Sequence, residues 1–265
     1  MTPERIQLAN QLYDSSDYPD DLRRTAPATF PRKTDADRWL VLTQSAMLNN
    51  DWRDPAPGRQ LLAGYGKTWI EERPNLRGKT LDLYRWLASR HIEPRLGPMQ
   101  LTEIAPAHVR TWRAGLLNDG VSDSTCAKAY RLLRAVLNTA VADGVLQRNP
   151  CQIPGAGSEH PAERPVLDLE QVLRLSEIVL RRFRALIHLA TFGSLRYGEA
   201  TALNRVDVAE NGRLVRIRGT YVERSDGTIQ LGPPKSRAGR RAVSLPTFAA
   251  DIVVEHLNTY VGEAP

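Results

Sequence analysis

An arginine and a glutamate three residues apart, Arg196 and Glu199 in GSLRYGEATAL, and a lysine set among prolines and small residues, Lys235 in GPPKSRAGRR, are the positions from which chemistry could be built. Arginine is permanently charged and presents a planar fork of donors that matches phosphate or carboxylate oxygens. Glu199, at i+3, is within reach to orient that fork. Gly193 reads as the end of one helix and Ser194 as the cap of the next, which places Arg196 in a first helical turn. The helix dipole disfavours a cation there, so an arginine at that place points to an anion beside it, the ligand that free N–H groups at a helix start also favour. The same pair is compatible with an exposed arginine and a routine helical partner. Lys235 sits in a turn between strands, where a lysine is ordinarily only solvated. Held over a phosphodiester, it could donate a proton to a departing oxygen.

Charge supports an anionic partner. The 265 residues carry a net +6, and between Gly212 and Val243 eight basic residues (Arg213, Arg216, Arg218, Arg224, Lys235, Arg237, Arg240 and Arg241) face only Glu223 and Asp226. The whole excess lies in that stretch, and a local excess of this size attracts polyanions. A second basic run, Lys128, Arg131 and Arg134, is spaced by three along one helix, a ribbon that suits a phosphate backbone or a solvated face equally. Composition is that of a globular protein, with 42% hydrophobic and 25% charged residues. No apolar run is long enough to span a bilayer, and the start, MTPERIQLAN, lacks the pattern of a secretory leader. The two cysteines, Cys126 and Cys151, have no metal-ligand or redox spacing and read as reduced thiols of a cytoplasmic protein that binds no metal.

The elements that must position these residues are mostly helical. Thr34 caps a first helix carrying Trp39, Leu40, Leu42, Ala46 and Met47, and DWRDPAPGR (51–59) is turn-rich. LLAGYGKTWIEER, TLDLYRWLASR and AHVRTWRAGLL read as helices. So does residues 124–144, whose Tyr130, Leu133, Leu137 and Ala140 recur on one face. CQIPGAGSEHPAERP (151–165) is a linker rich in proline and glycine. Beyond it LDLEQVLRLSEIVL, RRFRALIHLATF and SLRYGEATAL read as helices, RLVRIRGTYVE, GTIQLG and RRAVSLP as three short strands, and FAADIVVEHLNTYV as a helix with Phe248, Ile252, Leu257 and Tyr260 inward. The expected fold is mainly α with a small three-stranded antiparallel sheet, an α+β arrangement.

GSLRYGEATAL followed by PPKSRAGRRAVSLP resembles the tyrosine recombinase and phage integrase family, and the order of parts agrees over about residues 60–260. The resemblance implies a partial arm-type segment over 1–57, a helical core-binding domain over 58–150, a linker over 151–165, and the first half of a catalytic domain over 166–265. It implies double-stranded DNA as substrate, other recombinase protomers as partners, and no cofactor. Residue by residue, Arg196 would be the first catalytic arginine, Glu199 its acidic support, and Lys235 the general acid toward the 5′ oxygen in strand exchange through a 3′-phosphotyrosine. Lys128, Arg131, Arg134, Arg237, Arg240 and Arg241 would bind DNA. LNRVDV stands where the family often has LRWSDID.

The family also needs His-x-x-Arg and a later tyrosine nucleophile. None of His91, His108, His160, His188 and His256 begins a His-x-x-Arg, and Tyr260 lies on the apolar face of the helix after the strands, a core position. The expectation is a chain that stops partway through its catalytic domain, binds DNA and lacks its nucleophile. The alternatives are a non-catalytic DNA-binding regulator and an inert prophage remnant.

Overall fold

A computed structural model describes residues 31–49, 57–209 and 211–262. The expected arm-type segment over 1–57 and most of the turn-rich stretch 51–59 lie largely outside the described residues. The chain divides into two compact units, one comprising residues 1–74 and 84–160, the other residues 75–83 and 161–265. Helix α1 spans Lys33–Leu48, so Thr34 stands inside its first turn rather than capping it, a two-residue difference typical of helix ends.

The first unit is helical. α2 (Leu62–Glu71), α3 (Gly78–Leu87), α5 (Pro106–Asn118) and α6 (Asp123–Ala142) follow the expected segments, whereas EPRLGP, which reads as a loop in the sequence, carries a further short helix, α4 (Glu93–Leu96). α3 runs on through a π-type turn, Ala88–Ile92, into α4, and its first six residues group with the second unit. Ser122 caps α6 by accepting the Thr125 N–H, a bond of the kind worth about 1 kcal/mol to a helix. Tyr130, Leu133, Leu137 and Ala140 are all buried, as their spacing predicts, and so are Trp112, Leu87 and Leu101. The first ten residues of the expected linker pack on α6. Ile153 N–H donates to the Tyr130 hydroxyl at 2.9 Å, and Cys151 and Ala156 are buried. Burial pushes the Cys151 thiol up to about 12, so that sulfur is an inert packing group.

The second unit is built from α7 (Leu169–Ile178), α8 (Arg184–Phe192), α9 (Tyr197–Thr201), five short strands and α10 (Thr247–Tyr260). Asp168 and Gln171 form a reciprocal capping box at the start of α7, at 2.8 and 3.0 Å. The strands are β1 (Val208–Ala209), β2 (Leu214–Ile217), β3 (Thr220–Glu223), β4 (Ile229–Gly232) and β5 (Arg241–Ser244). The fold class is as expected, mainly α with a small antiparallel sheet, but the strands are shared out differently. RLVRIRGTYVE breaks at Arg218–Gly219 into β2 and β3, and the three-stranded sheet is β1–β2–β5, with β3 and β4 forming a separate hairpin. Val215 and Ile217 face inward onto Ala185, Leu189, Leu195, Leu245, Ala249, Ala250 and Val253.

The expected inward face of α10 is corrected. Ile252 and Leu257 pack against this core, whereas Phe248 and Tyr260 are about half exposed. The helix is phased by Ala249, Ala250 and Val253, whose small side chains let it approach α8 closely. Phe248 covers the margin instead, edge-on to Phe192 with ring centroids 4.9 Å apart.

Candidate active site

The turn that carries Arg196 is made by two residues with opposite demands. A Cβ on Gly193 would stand 2.8 Å from the Leu189 carbonyl and 2.7 Å from the Leu195 side chain, so only glycine fits. Ser194 follows at φ +52°, a left-handed conformation that costs a residue with a Cβ about 1 kcal/mol or more. The reversal drives Leu195 into the core and leaves Arg196 at the N-cap of α9. Ser194 is thus the turn residue, and the cap position belongs to Arg196 itself. A guanidinium cannot accept a hydrogen bond, so the cap works in one direction. The Glu199 carboxylate accepts the Arg196 backbone N–H at 3.1 Å. With five residues, α9 has little dipole, and the pull on an anion rests on the side chains.

Glu199 is the centre of the arrangement. Its side chain is 2% exposed. Oε1 accepts from Arg196 Nη1 at 2.9 Å, and Oε2 accepts from Arg241 Nη2 at 2.9 Å. Burial pushes its carboxyl upward, but the Arg241 hydrogen bond first, and then Arg196, outweigh this and leave it below the usual range. The carboxylate is therefore charged at neutral pH and fully used. Arg196 itself is 71% exposed, so most of its fork remains in solvent. α9 lies close against the hairpin, since a Cβ on Gly198 would collide with the Tyr221 carbonyl. A larger residue there would lift Arg196 and Glu199 off β3. Gly198 carries no chemical signal in the sequence.

Lys235 is exposed, in the connection from β4 to β5. Those strands do not pair with each other, so the lysine rides a crossover between hairpin and sheet rather than a hairpin turn. Its backbone is fastened by Arg77, which donates to the Pro234 carbonyl at 3.1 Å and the Lys235 carbonyl at 2.9 Å. The hairpin is held by Arg224 on Asp82, at 2.7 and 2.9 Å. Both partners come from the segment that groups with this unit.

The structure sorts the expected DNA-binding residues. Arg237 and Arg240 are exposed. Arg241 is turned inward, bonded to Glu199, to the Ser194 carbonyl at 3.0 Å and to the Gly239 carbonyl at 3.2 Å. Arg224 and Arg218 are likewise engaged, the latter with buried Asp207 at 3.1 Å, so three of the eight basic residues in this stretch serve ion pairs within the fold. On α6, Lys128 and Arg131 both reach Glu159, at 3.4 Å for the lysine, while Arg134 is exposed without an ion pair among the described residues. Ser124 also bonds Glu159. With Arg131 and Lys128 it lowers that carboxyl to about 2. Among the described residues no cluster of histidine, cysteine and carboxylates is arranged to hold a metal ion, and no helix is long and apolar enough to cross a membrane.

A helical unit together with a small-sheet unit that carries an arginine–glutamate turn is an integrase architecture. The structure resembles that of the Tn1549 transposon integrase (residues 82–397) in complex with circular intermediate DNA, with a TM-score of 0.66 at 16% identity, over 78% of this chain and 67% of that one. It also resembles a lambda integrase dimer bound to a COC′ core site, with a TM-score of 0.56 at 16% identity, over 88% of this chain and 66% of that one. Residues 62–117 match the family described as phage integrase, N-terminal SAM-like domain. The chain belongs to the tyrosine recombinase and phage integrase family. It is 33% identical to the integrase of Mycobacterium phage D29, over 96% of this chain and 69% of that protein. It is 32% identical to a putative prophage phiRv2 integrase of Mycobacterium tuberculosis (strain H37Rv), over 92% and 65%. The chain thus spans about two thirds of the length of these relatives.

Proposed function

We propose that this chain binds double-stranded DNA and supplies the phosphate-holding part of a recombinase strand-exchange site. The observation that carries this is the arrangement at Glu199. A buried carboxylate holds Arg196 from behind and leaves the rest of its fork exposed, the preorganised cation that a transferring phosphoryl group needs. Lys235, exposed on a backbone pinned by Arg77, takes the role of general acid toward the leaving oxygen in this reading. Of the expected DNA-binding residues, Arg134 in the first unit and Arg237 and Arg240 in the second are exposed cations, and Lys128 and Arg131 join them when released from Glu159. The relatives and solved neighbours are integrases, among them a lambda integrase tetramer bound to a Holliday junction, which supports further protomers on DNA as partners.

The covalent step is not assigned to a residue of this chain. Its sequence contains no His-x-x-Arg, and Tyr260 lies at the end of α10 beside His256, with ring centroids 5.3 Å apart. No covalent protein–DNA adduct is expected from the chain alone, and a phosphotyrosine adduct on a nicked duplex would restore the full activity to it.

The binding reading is tested by titrating the protein with a mixed-sequence duplex across salt concentrations. The affinity should fall linearly on logarithmic axes, and Arg196→Gln should flatten the slope by about 0.9, the loss of one phosphate contact. Weak, salt-independent association would overturn the reading.

A further inference from the structure

We infer that Arg241 is a positioning residue of this site, holding Glu199 so that Glu199 can hold Arg196, and that it makes no phosphate contact of its own. The inference rests on the proposed role of Arg196 in DNA binding and adds a division of labour between the two arginines.

The two share one carboxylate but differ in every other respect. Arg196 gives Glu199 one side-chain bond and is 71% exposed. Arg241 is 27% exposed and turns its donors inward, Nη2 to Glu199 and the Ser194 carbonyl, Nη1 to the Gly239 carbonyl. Its backbone is fixed in β5 opposite Ile217 of the central strand. The exposed neighbour Arg240 precedes the strand, so the Arg240–Arg241 doublet sends one guanidinium outward and one inward. The bond to Ser194 also braces the left-handed turn that sets the direction of Arg196. Without Arg241, the 2%-exposed Glu199 carboxylate would be left with a single, largely solvated cation, and burial of a poorly paired anion is strongly unfavourable. Arg241 is also the leading influence that keeps the Glu199 carboxyl ionised against its burial.

The test is a double-mutant cycle read as duplex affinity, with Arg196→Gln, Arg241→Met and the two combined, each checked by thermal melting. The wild-type protein and Arg196→Gln establish whether Arg196 contributes at all, and equal affinities there sink the DNA-binding role of Arg196 independently of Arg241. Given that contribution, Arg241→Met should weaken binding in the Arg196 background and change nothing in the Arg196→Gln background. Equal weakening in both, with the salt slope falling by about 0.9 each time, would make Arg241 a phosphate contact and overturn the inference. Acidity supplies the readout that mere destabilisation would not move. In the wild-type background the contribution of Arg196 should be flat between about pH 8 and 6, well above the carboxylate range. With Arg241→Met, Glu199 takes up a proton more easily and the contribution should shrink as pH falls. Arg241→Lys keeps the charge beside Glu199, should restore the flat profile, and is the variant to use if the methionine protein melts too low. An unchanged, flat contribution of Arg196 in the Arg241→Met protein would contradict a positioning role.

Discussion

Two carboxylates in this chain each gather two cations, and they do opposite things with them. Glu159 lies near the surface, 27% exposed, and takes up Lys128 and Arg131 from the basic ribbon on α6. Glu199 is 2% exposed and takes up Arg196 and Arg241. At the first, water competes for every partner, and the pair subtracts charge from a face otherwise suited to DNA. At the second, the carboxylate cannot be rehydrated without opening the fold, so its partners are fixed in place. A charged cluster is a reservoir when its centre is exposed and a scaffold when its centre is buried.

The largest effect that would break this contrast is on stability. Glu199→Ala removes the partner of both arginines and the acceptor for the Arg196 N–H, and should destabilise the second unit by about 3 kcal/mol, the range for breaking a buried pair. A calorimetric or denaturant melt measures this, and a change near zero would place Glu199 among the ordinary surface acids. Next is Arg196→Gln, which should leave the melt nearly unchanged, because the arginine is mostly in solvent, while flattening the salt dependence of duplex binding. Smaller and opposite in sign, Glu159→Gln should raise duplex affinity by about two- to five-fold at low salt, fading as salt is added. It frees Lys128 and Arg131 for phosphate, and a lowered affinity would show that Glu159 orients them for DNA instead.

The smallest effect is on acidity. The Glu159 carboxyl is lowered from 4.5 to about 2, through Ser124 first and then Arg131. A depressed folded value means that the unfolded chain takes up the proton first as pH falls. The stabilisation from Glu159 is therefore complete above pH 4.5 and lost progressively down to about 2. Glu199 is lowered as well and adds loss in the same direction. Melting between about pH 6 and 3 should show a shallower decline for Glu159→Gln than for the wild-type protein.

What the sequence disclosed follows the reach of each interaction. α6 was legible because Tyr130, Leu133, Leu137 and Ala140 repeat at helical spacing and all enter the core. The Arg196–Glu199 pair was legible because it spans three residues. Arg241 reaches Glu199 across 42 positions, and in sequence it is one arginine in a basic run, indistinguishable from exposed Arg240. Glu159 looked like a linker residue, because nothing local reveals that the linker folds back onto α6. The face of α10 was misread because Ala249 and Ala250 weigh little in a hydrophobic pattern yet decide how closely the helix can pack. The strand assignment missed the break at Gly219, where one apolar run serves two sheets, and with it the crossover that carries Lys235.

The most direct measurement is a structure of this protein on duplex DNA, read at the two guanidinium groups. The account predicts Arg196 within hydrogen-bonding distance, about 3 Å, of a phosphate oxygen while still bonded to Glu199, with Arg241 unmoved on Glu199 and Ser194. A phosphate on Arg241, or DNA bound with Arg196 left in solvent, would contradict it.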